Sequence, residues 1–301
     1  MSDTAASLRH KISSAGELES VVRTMKAMAA SGIGQYENAA RSLDDYYRTV
    51  QLGLAACFHQ DAAPSAPFRA GGTQAASTGA IVFGSDQGLV GQFNEVMTEY
   101  VANTLASLPG KKTVWAVGGR IQSRLADSGL MPLENFVLPN SIGAITPLVG
   151  QILIEMEKQR VKGVIEQVYL FYNRPQTGAI YTPVSQRLLP LDYTWRRELA
   201  GMLWPSTNLP EVMNDSEQTL LALVREYLFV SLFRACAESL ASENASRLAA
   251  MQRAEKNIDE ILENLNRTFH RLRQSGIDEE LFDVVSGFEA LTVVPSETMK
   301  G

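Results

Sequence analysis

Apolar and small residues recur along the first sixty positions at intervals of three and four: Leu8, Ile12, Ala15, Leu18, Val22, Met25, Ala29, Ile33, Tyr36, Ala40, Leu43, Tyr47, Val50, Leu54 and Cys57. A helix lines such positions along one face, and no proline interrupts Leu8 to Phe58. The spacing therefore predicts one long helix over 1–58. Gly16, Gly32, Gly34 and Gly53 are its weak points, each costing roughly 1 kcal/mol relative to alanine. At ~1.5 Å per residue the helix would run about 75 Å, too long for one small domain to cover, so it needs an equally long partner. The far end of the chain supplies one over 216–292, with Asn214, Asp215 and Ser216 as cap residues and no proline from Ser216 to Leu291. Leu248, Met251, Ile258, Leu262, Leu265, Phe269 and Leu272 form a heptad-like stripe there, with Glu255 the one polar intruder. Upstream, Ala235 to Ala250 is dense in small residues that permit close helix approach, with Glu243, Arg247, Arg253, Glu255, Lys256, Asp259 and Glu260 expected as exposed charges around it. Two long helices at opposite chain ends pair most simply as an antiparallel coiled coil.

The middle follows another rhythm. Positions 59–78, rich in Ala, Pro, Gly and Ser, read as a linker. Over 79–215 short apolar runs alternate with helix-like segments. Strands are expected at Gly79–Phe83, Thr113–Val117, Asn135–Leu138, Val164–Tyr172 and Ala179–Leu189, with helices at Asn94–Leu108, Arg120–Asp127 and Leu148–Arg160. Alternation of this kind predicts a Rossmann-like α/β body with a largely parallel sheet whose last pair is antiparallel. The fold class is thus α/β with a long antiparallel coiled coil, the body inserted between two terminal helices, and 293–301 a tail.

Composition narrows the function by exclusion. No apolar run approaches the roughly 20 residues that span a bilayer, so no direct membrane insertion is expected, and Met1 to Lys11 lacks the pattern of a signal peptide. A net charge of −6 argues against nucleic acid as partner. Cys57 and Cys236 stand far apart and read as small buried hydrophobes, and His10, His59 and His270 are too scattered for a metal site. Gly84-Ser85-Asp86-Gln87-Gly88-Leu89-Val90-Gly91 follows the first strand, but its spacing is neither the dinucleotide fingerprint nor a phosphate loop, so it reads as a structural turn or a protein contact. Gly118-Gly119-Arg120 reads as a tight strand-to-helix turn. Ser239 and Ser242 have no histidine nearby, Glu238 and Glu243 lie on a helix expected to be solvated or interfacial, and Met25, Met28, Tyr36 and Met251 read as core. No catalytic, cofactor or metal residue is expected.

Several ordered stretches resemble the gamma subunit of F-type ATP synthases. Leu8-Arg9-His10-Lys11-Ile12 and Thr24 to Ser31 are similar to the family's opening helix, and Ser85 to Asn94 to its "SDRGLCGGFN". Ser185 to Leu191 is similar to its "SQLLPL", and Glu238 to Met251 to its "ESxASExAARMxAM". Ile277 to Leu281 and Val284 to Gly287 follow in the family's C-terminal register. The resemblance implies a rotor stalk without a catalytic site, coupling ion-driven c-ring rotation to ATP synthesis or hydrolysis at beta-subunit sites. Its implied partners are the F1 alpha and beta subunits, the epsilon subunit and the membrane c-ring. Its implied place is peripheral, on the cytoplasmic face of a bacterial inner membrane. By position, Met25, Arg273, Gln274, Glu279 and Glu280 match rotor-stator contacts, and Asp86, Gly88, Leu89, Gly91 and Asn94 fall in the foot region contacting c-ring and epsilon.

The chain departs from the family's pattern at Gly32, where a base is common, and at Gln87, Val90 and Gln92 within the middle motif. These departures fit a divergent gamma subunit of the kind associated with sodium-linked bacterial enzymes. Two other readings remain at this point: a Rossmann-like small-molecule enzyme with helical extensions, and a free-standing coiled-coil scaffold or adaptor.

Overall fold

A computed structural model describes residues 4–60, 77–176, 178–191, 193–208, 211–212 and 216–292. The chain forms two compact units, one from the residues up to Lys26 with those from Met251 on, the other Ala27–Ala250. The linker expected at 59–78 and the tail at 293–301 lie largely outside the described residues.

The N-terminal stripe forms two helices rather than one, α1 (Ala5–Ser42) and α2 (Asp44–Gln60). The interruption has a local cause. The Ser42 hydroxyl donates to the Ala39 carbonyl at 2.9 Å, which is the acceptor a regular helix would reserve for the Leu43 amide. Leu43 N–H turns instead to the Ala40 carbonyl at 3.3 Å. A serine hydroxyl competing for a backbone acceptor loosens a helix at that point, and Asp44 and Asp45 then open α2 favourably for its dipole.

The body is a five-stranded sheet of β1 (Thr78–Phe83), β2 (Lys112–Val117), β3 (Pro132–Phe136), β4 (Gln167–Gln176) and β5 (Ala179–Leu189). Their order is β3-β2-β1-β4-β5, parallel except for the antiparallel β4–β5 pair. Pro132 and Pro183 lie on β3 and β5, the two edge strands, where a missing N–H costs least. The crossovers are α3 (Phe93–Ser107), α4 (Gly119–Asp127) and α5 (Ile145–Val161). Strand residues alternate between two cores. Ala80, Val82, Val114 and Ala116 pack with Met97, Val101, Ile121 and Leu125 of α3 and α4. Ile81, Phe83, Trp115 and Val117 face α5, α2 and the C-terminal helix. Both faces being covered, the strands read as continuous apolar runs. A further helix, α6 (Tyr193–Ala200), follows β5 and lays Trp195 edge-on against Phe58 and Tyr227. The sequence pattern had assigned no element there.

The C-terminal helix α7 runs unbroken from Ser216 to Thr292. In the second unit its small-residue stretch is buried: Ala235, Cys236, Ala237, Ser239, Ala241 and Ser242 are almost inaccessible. In the first unit, α1 and α7 run side by side. Lys26 Nζ meets Glu255 Oε2 at 2.5 Å, and the Arg9 guanidinium lies 5.4 Å from the centre of the Phe269 ring.

Candidate functional site: a filled switch point

In a sheet of this order the sequence of strand addition reverses between the parallel β1 and β4, and the crevice at the carboxyl ends of those strands is where open α/β folds bind their ligands. Here the crevice is occupied by the protein itself. The loop leaving β1 turns its polar groups inward. Asn94 Oδ1 accepts the Ser85 amide at 3.0 Å while Asn94 Nδ2 donates to Ser85 Oγ at 2.8 Å. Ser85 Oγ in turn donates to the Gln87 carbonyl at 2.9 Å.

Helix α7 fills the remaining space with one face. Glu238, Ser242 and Ser246 follow at intervals of four, the spacing that stacks side chains along a helix. Glu238 Oε2 accepts Arg174 Nε of β4 at 2.9 Å, and Oε1 accepts Arg234 Nε at 2.7 Å. Ser242 Oγ donates to the Asn173 carbonyl at 3.0 Å and Ser246 Oγ to the Val90 carbonyl at 2.6 Å. The Ser242 bond answers a specific vacancy in the ladder. The Gln167 amide bonds to the Ser77 carbonyl, so alternate β4 residues up to Asn173 face β1, and the next donor on that side, the Ser85 amide, is already taken by Asn94. Ser242 supplies the donor that this buried carbonyl needs.

The turn after β2 is satisfied in the same way. The amides of Gly119 and Arg120 open α4 and would suit an anion, but Asp86 Oδ1 takes Gly119 N–H at 2.7 Å and the Ser85 carbonyl takes Arg120 N–H at 2.9 Å. Asp86 Oδ2 accepts Leu138 N–H at 3.0 Å, so one carboxylate ties the β2–α4 turn to the end of β3. Gly118 sits at φ +120° with Ser85 packed against it, so a side chain there would strike the Ser85 carbonyl oxygen at 2.8 Å.

Glu243 and Arg247 are not solvated as the sequence pattern suggested. Glu243 is buried, and its carboxylate accepts Arg247 Nη2 at 2.5 Å. Glu238 is equally buried. Both acids lie on the stretch of α7 whose small residues draw it against the sheet, which removes water from its charged neighbours too. Burial raises the Glu243 carboxyl above its ordinary value, Arg247 pulls it back only in part, and Asp86 adds to the rise. Burial likewise pushes the Cys236 thiol up, with Glu243 contributing, which leaves it an inert core group as expected. Met28, expected in the core, is 70% exposed; it lies off the α1 stripe, one position before the buried Ala29. Gly32 has a packing role: a Cβ there would come within 2.9 Å of Asn244 Oδ1, so the glycine admits α7.

Of the residues singled out from sequence, Asp86 and Asn94 are spent on internal bonds, and Asn94 is buried. Gly88 packs over Arg120. Leu89 reaches solvent, 61% exposed and in a left-handed conformation at φ 63°, followed by Gly91 at φ 59°. Met25 is half-buried on α1. Arg273, Gln274, Glu279 and Glu280 are exposed on α7, next to a series of exposed apolar residues: Ile277, Leu281, Phe282, Val284 and Val285. Among the described residues no cluster of three or more His, Cys, Asp or Glu is placed to hold a metal ion, and no helix is long and apolar enough to cross a membrane.

Comparison with known proteins gives a consistent answer. The family model described as ATP synthase matches residues 4–291. Proteins named ATP synthase gamma chain are similar over 94% of this chain and 98% of their own length. That of Granulibacter bethesdensis is 29% identical and that of Polynucleobacter asymbioticus 25%. Among solved structures, a chain of the Euglena gracilis mitochondrial ATP synthase assembly of OSCP, F1 and c-ring aligns with a TM-score of 0.67. It is 17% identical, and 99% of each chain is covered. A chain of the Tetrahymena thermophila mitochondrial central stalk and c-ring aligns with a TM-score of 0.54 at 20% identity, covering 78% of this chain and 99% of the other.

Proposed function

This chain belongs to the ATP synthase family as a gamma chain, and on that premise we propose that it is the non-catalytic central stalk that couples rotation of a c-ring to the nucleotide sites of F1. The free-standing scaffold reading is set aside by the family match over residues 4–291. The observation that carries the mechanical reading is the filled switch point. A fold whose crevice elsewhere binds a ligand here grips a helix, through Glu238, Ser242 and Ser246. A shaft must not turn within the body that drives it. Directional bonds along one helix face, at intervals of four residues, resist such slippage in a way that non-directional apolar packing does not.

The partners follow from what remains exposed. The apolar series from Ile277 to Val285 is exposed, and patches of this kind mark contact surfaces. We assign it, with Arg273, Gln274, Glu279 and Glu280, to the alpha and beta subunits, and Met25 to the same stator contact. Leu89 at the tip of the β1–α3 loop, supported by Asp86, Gly88, Gly91 and Asn94, is assigned to the foot that meets epsilon and the c-ring. The protein then works at the cytoplasmic face of a bacterial inner membrane without entering it.

The test is co-expression with alpha and beta subunits from the same source. An ATP-hydrolysing complex containing one copy of this chain, with weak or uncooperative turnover when it is omitted, supports the assignment. A folded homo-oligomer without affinity for alpha or beta refutes it.

A further inference from the structure

Leu8, Ala15, Val22, Ala29, Tyr36, Leu43, Val50 and Cys57 form an unbroken series of sevens. On α7 the stripe is equally regular, Leu248, Leu262 and Phe269 on one track and Met251, Ile258, Leu265 and Leu272 on the other. Regularity of this sort leaves alignment underdetermined, because sliding one helix by seven residues returns apolar positions to apolar positions. The exception is Glu255, which holds the stripe position between Leu248 and Leu262. A carboxylate there costs stability unless it is paired. It is paired: Lys26 Nζ lies 2.5 Å from Oε2 and Arg23 Nε 3.9 Å from Oε1, and the Glu255 side chain is only 21% exposed. Glu19 holds Arg23 from the neighbouring turn of α1.

We propose that Glu255, held by Lys26 and Arg23, sets the register in which α1 and α7 pair. Seven positions before Arg23 and Lys26 stand Gly16 and Glu19; seven positions after stand Ala30 and Ile33. A one-heptad slip therefore offers Glu255 no cation in either direction, and in one direction it meets a second carboxylate. The wrong alignments lose a charge pair while keeping their apolar contacts, which is how a single polar position specifies register in a coiled coil. The inference concerns the paired helices alone and stands apart from the proposed assembly.

The test uses spin labels on cysteines introduced at the exposed positions Glu17 and Asn264 of the full-length chain, Cys57 and Cys236 being buried and unreactive. Pulsed electron paramagnetic resonance should give one inter-label distance for the otherwise unaltered chain. Glu255→Leu should keep or raise the melting temperature yet add a second distance population, reflecting an axial shift of about 10 Å for seven residues at ~1.5 Å each. Lys26→Glu should also split the distribution, and Lys26→Glu with Glu255→Lys should restore the single distance. One unshifted distance in Glu255→Leu, or failure of the exchanged pair to restore it, overturns the proposal.

Discussion

Replacing Ser242 with alanine isolates one bond in the grip on α7. Ser242 and the Asn173 it serves are both fully buried, and the Ser85 amide beyond β1 is held by Asn94. The variant leaves a buried acceptor unpaired, which costs about 1–3 kcal/mol. Three residues away Ser239 is a matched control, buried to 1% exposure with a hydroxyl that has no hydrogen-bond partner. Ser239→Ala removes an unpaired polar atom and should be neutral or stabilising by up to about 1 kcal/mol. Both substitutions delete one oxygen from the same face region of the same helix, so helix propensity and cavity effects largely cancel in the comparison. Thermal unfolding followed by far-ultraviolet circular dichroism reads the difference, at roughly 2–4 °C per kcal/mol for domains of comparable size. The expected order is Ser242→Ala below the unaltered chain and Ser239→Ala at or above it. Equal losses in the two variants would mean that the serines act by volume alone, and the hydrogen-bonded grip would be wrong.

Gly118→Ala should cost roughly 2–4 kcal/mol, combining a backbone conformation closed to L residues with a clash against the Ser85 carbonyl. Gly129→Ala, at φ +84° but in open space, should cost only the backbone part, and equal melting temperatures for the two would contradict the packing described. Glu243 has a raised folded-state pKa, so its contribution to stability is full below the ordinary carboxylate value of 4.5 and is lost as pH rises through the folded value. Glu243→Gln should therefore flatten the fall in melting temperature above that pH, and an unchanged slope would exclude Glu243 as its source. Leu281→Ser with Phe282→Ser, both at exposed positions, should leave the melting temperature of the chain within the equivalent of about 0.5 kcal/mol while lowering ATPase activity of the co-expressed complex. Undiminished turnover would remove that face from the stator contact.

The strands and crossovers were legible because their apolar runs are continuous and their turns rich in glycine. The reading placed β5 at the residues where it occurs and the other strands within a few residues. The long C-terminal helix was legible for the opposite reason, an unbroken absence of proline. Periodicity could not show the interruption at Leu43, because the stripe continues through it and the cause is one hydroxyl choosing one carbonyl. Nor could it show that Glu238 and Glu243 are buried. Their charge marks them as solvated, whereas the small residues around them bring the sheet close enough to exclude water. The serine spacing at 242 and 246 was visible, but its meaning depends on Asn94, far away in sequence, which takes the Ser85 amide and leaves the Asn173 carbonyl to α7.

The filled crevice also sets an order of events at the ribosome. Val90 and Ser246 are 156 residues apart, and Asn173 and Ser242 are 69 apart. Chains fold from the N-terminus as they emerge, so the sheet is complete while the helix that closes its open end is still being synthesised. Until Ser242 and Ser246 are free of the exit tunnel, the Asn173 carbonyl lacks its serine donor and the Val90 carbonyl keeps only the Phe93 amide at 3.4 Å. Contacts of such long sequence separation form late. The nascent α/β body is then a transient with an open mouth, and a chain arrested near Asn214 would persist in that state, exposed to proteases and chaperones, rather than as a finished small domain.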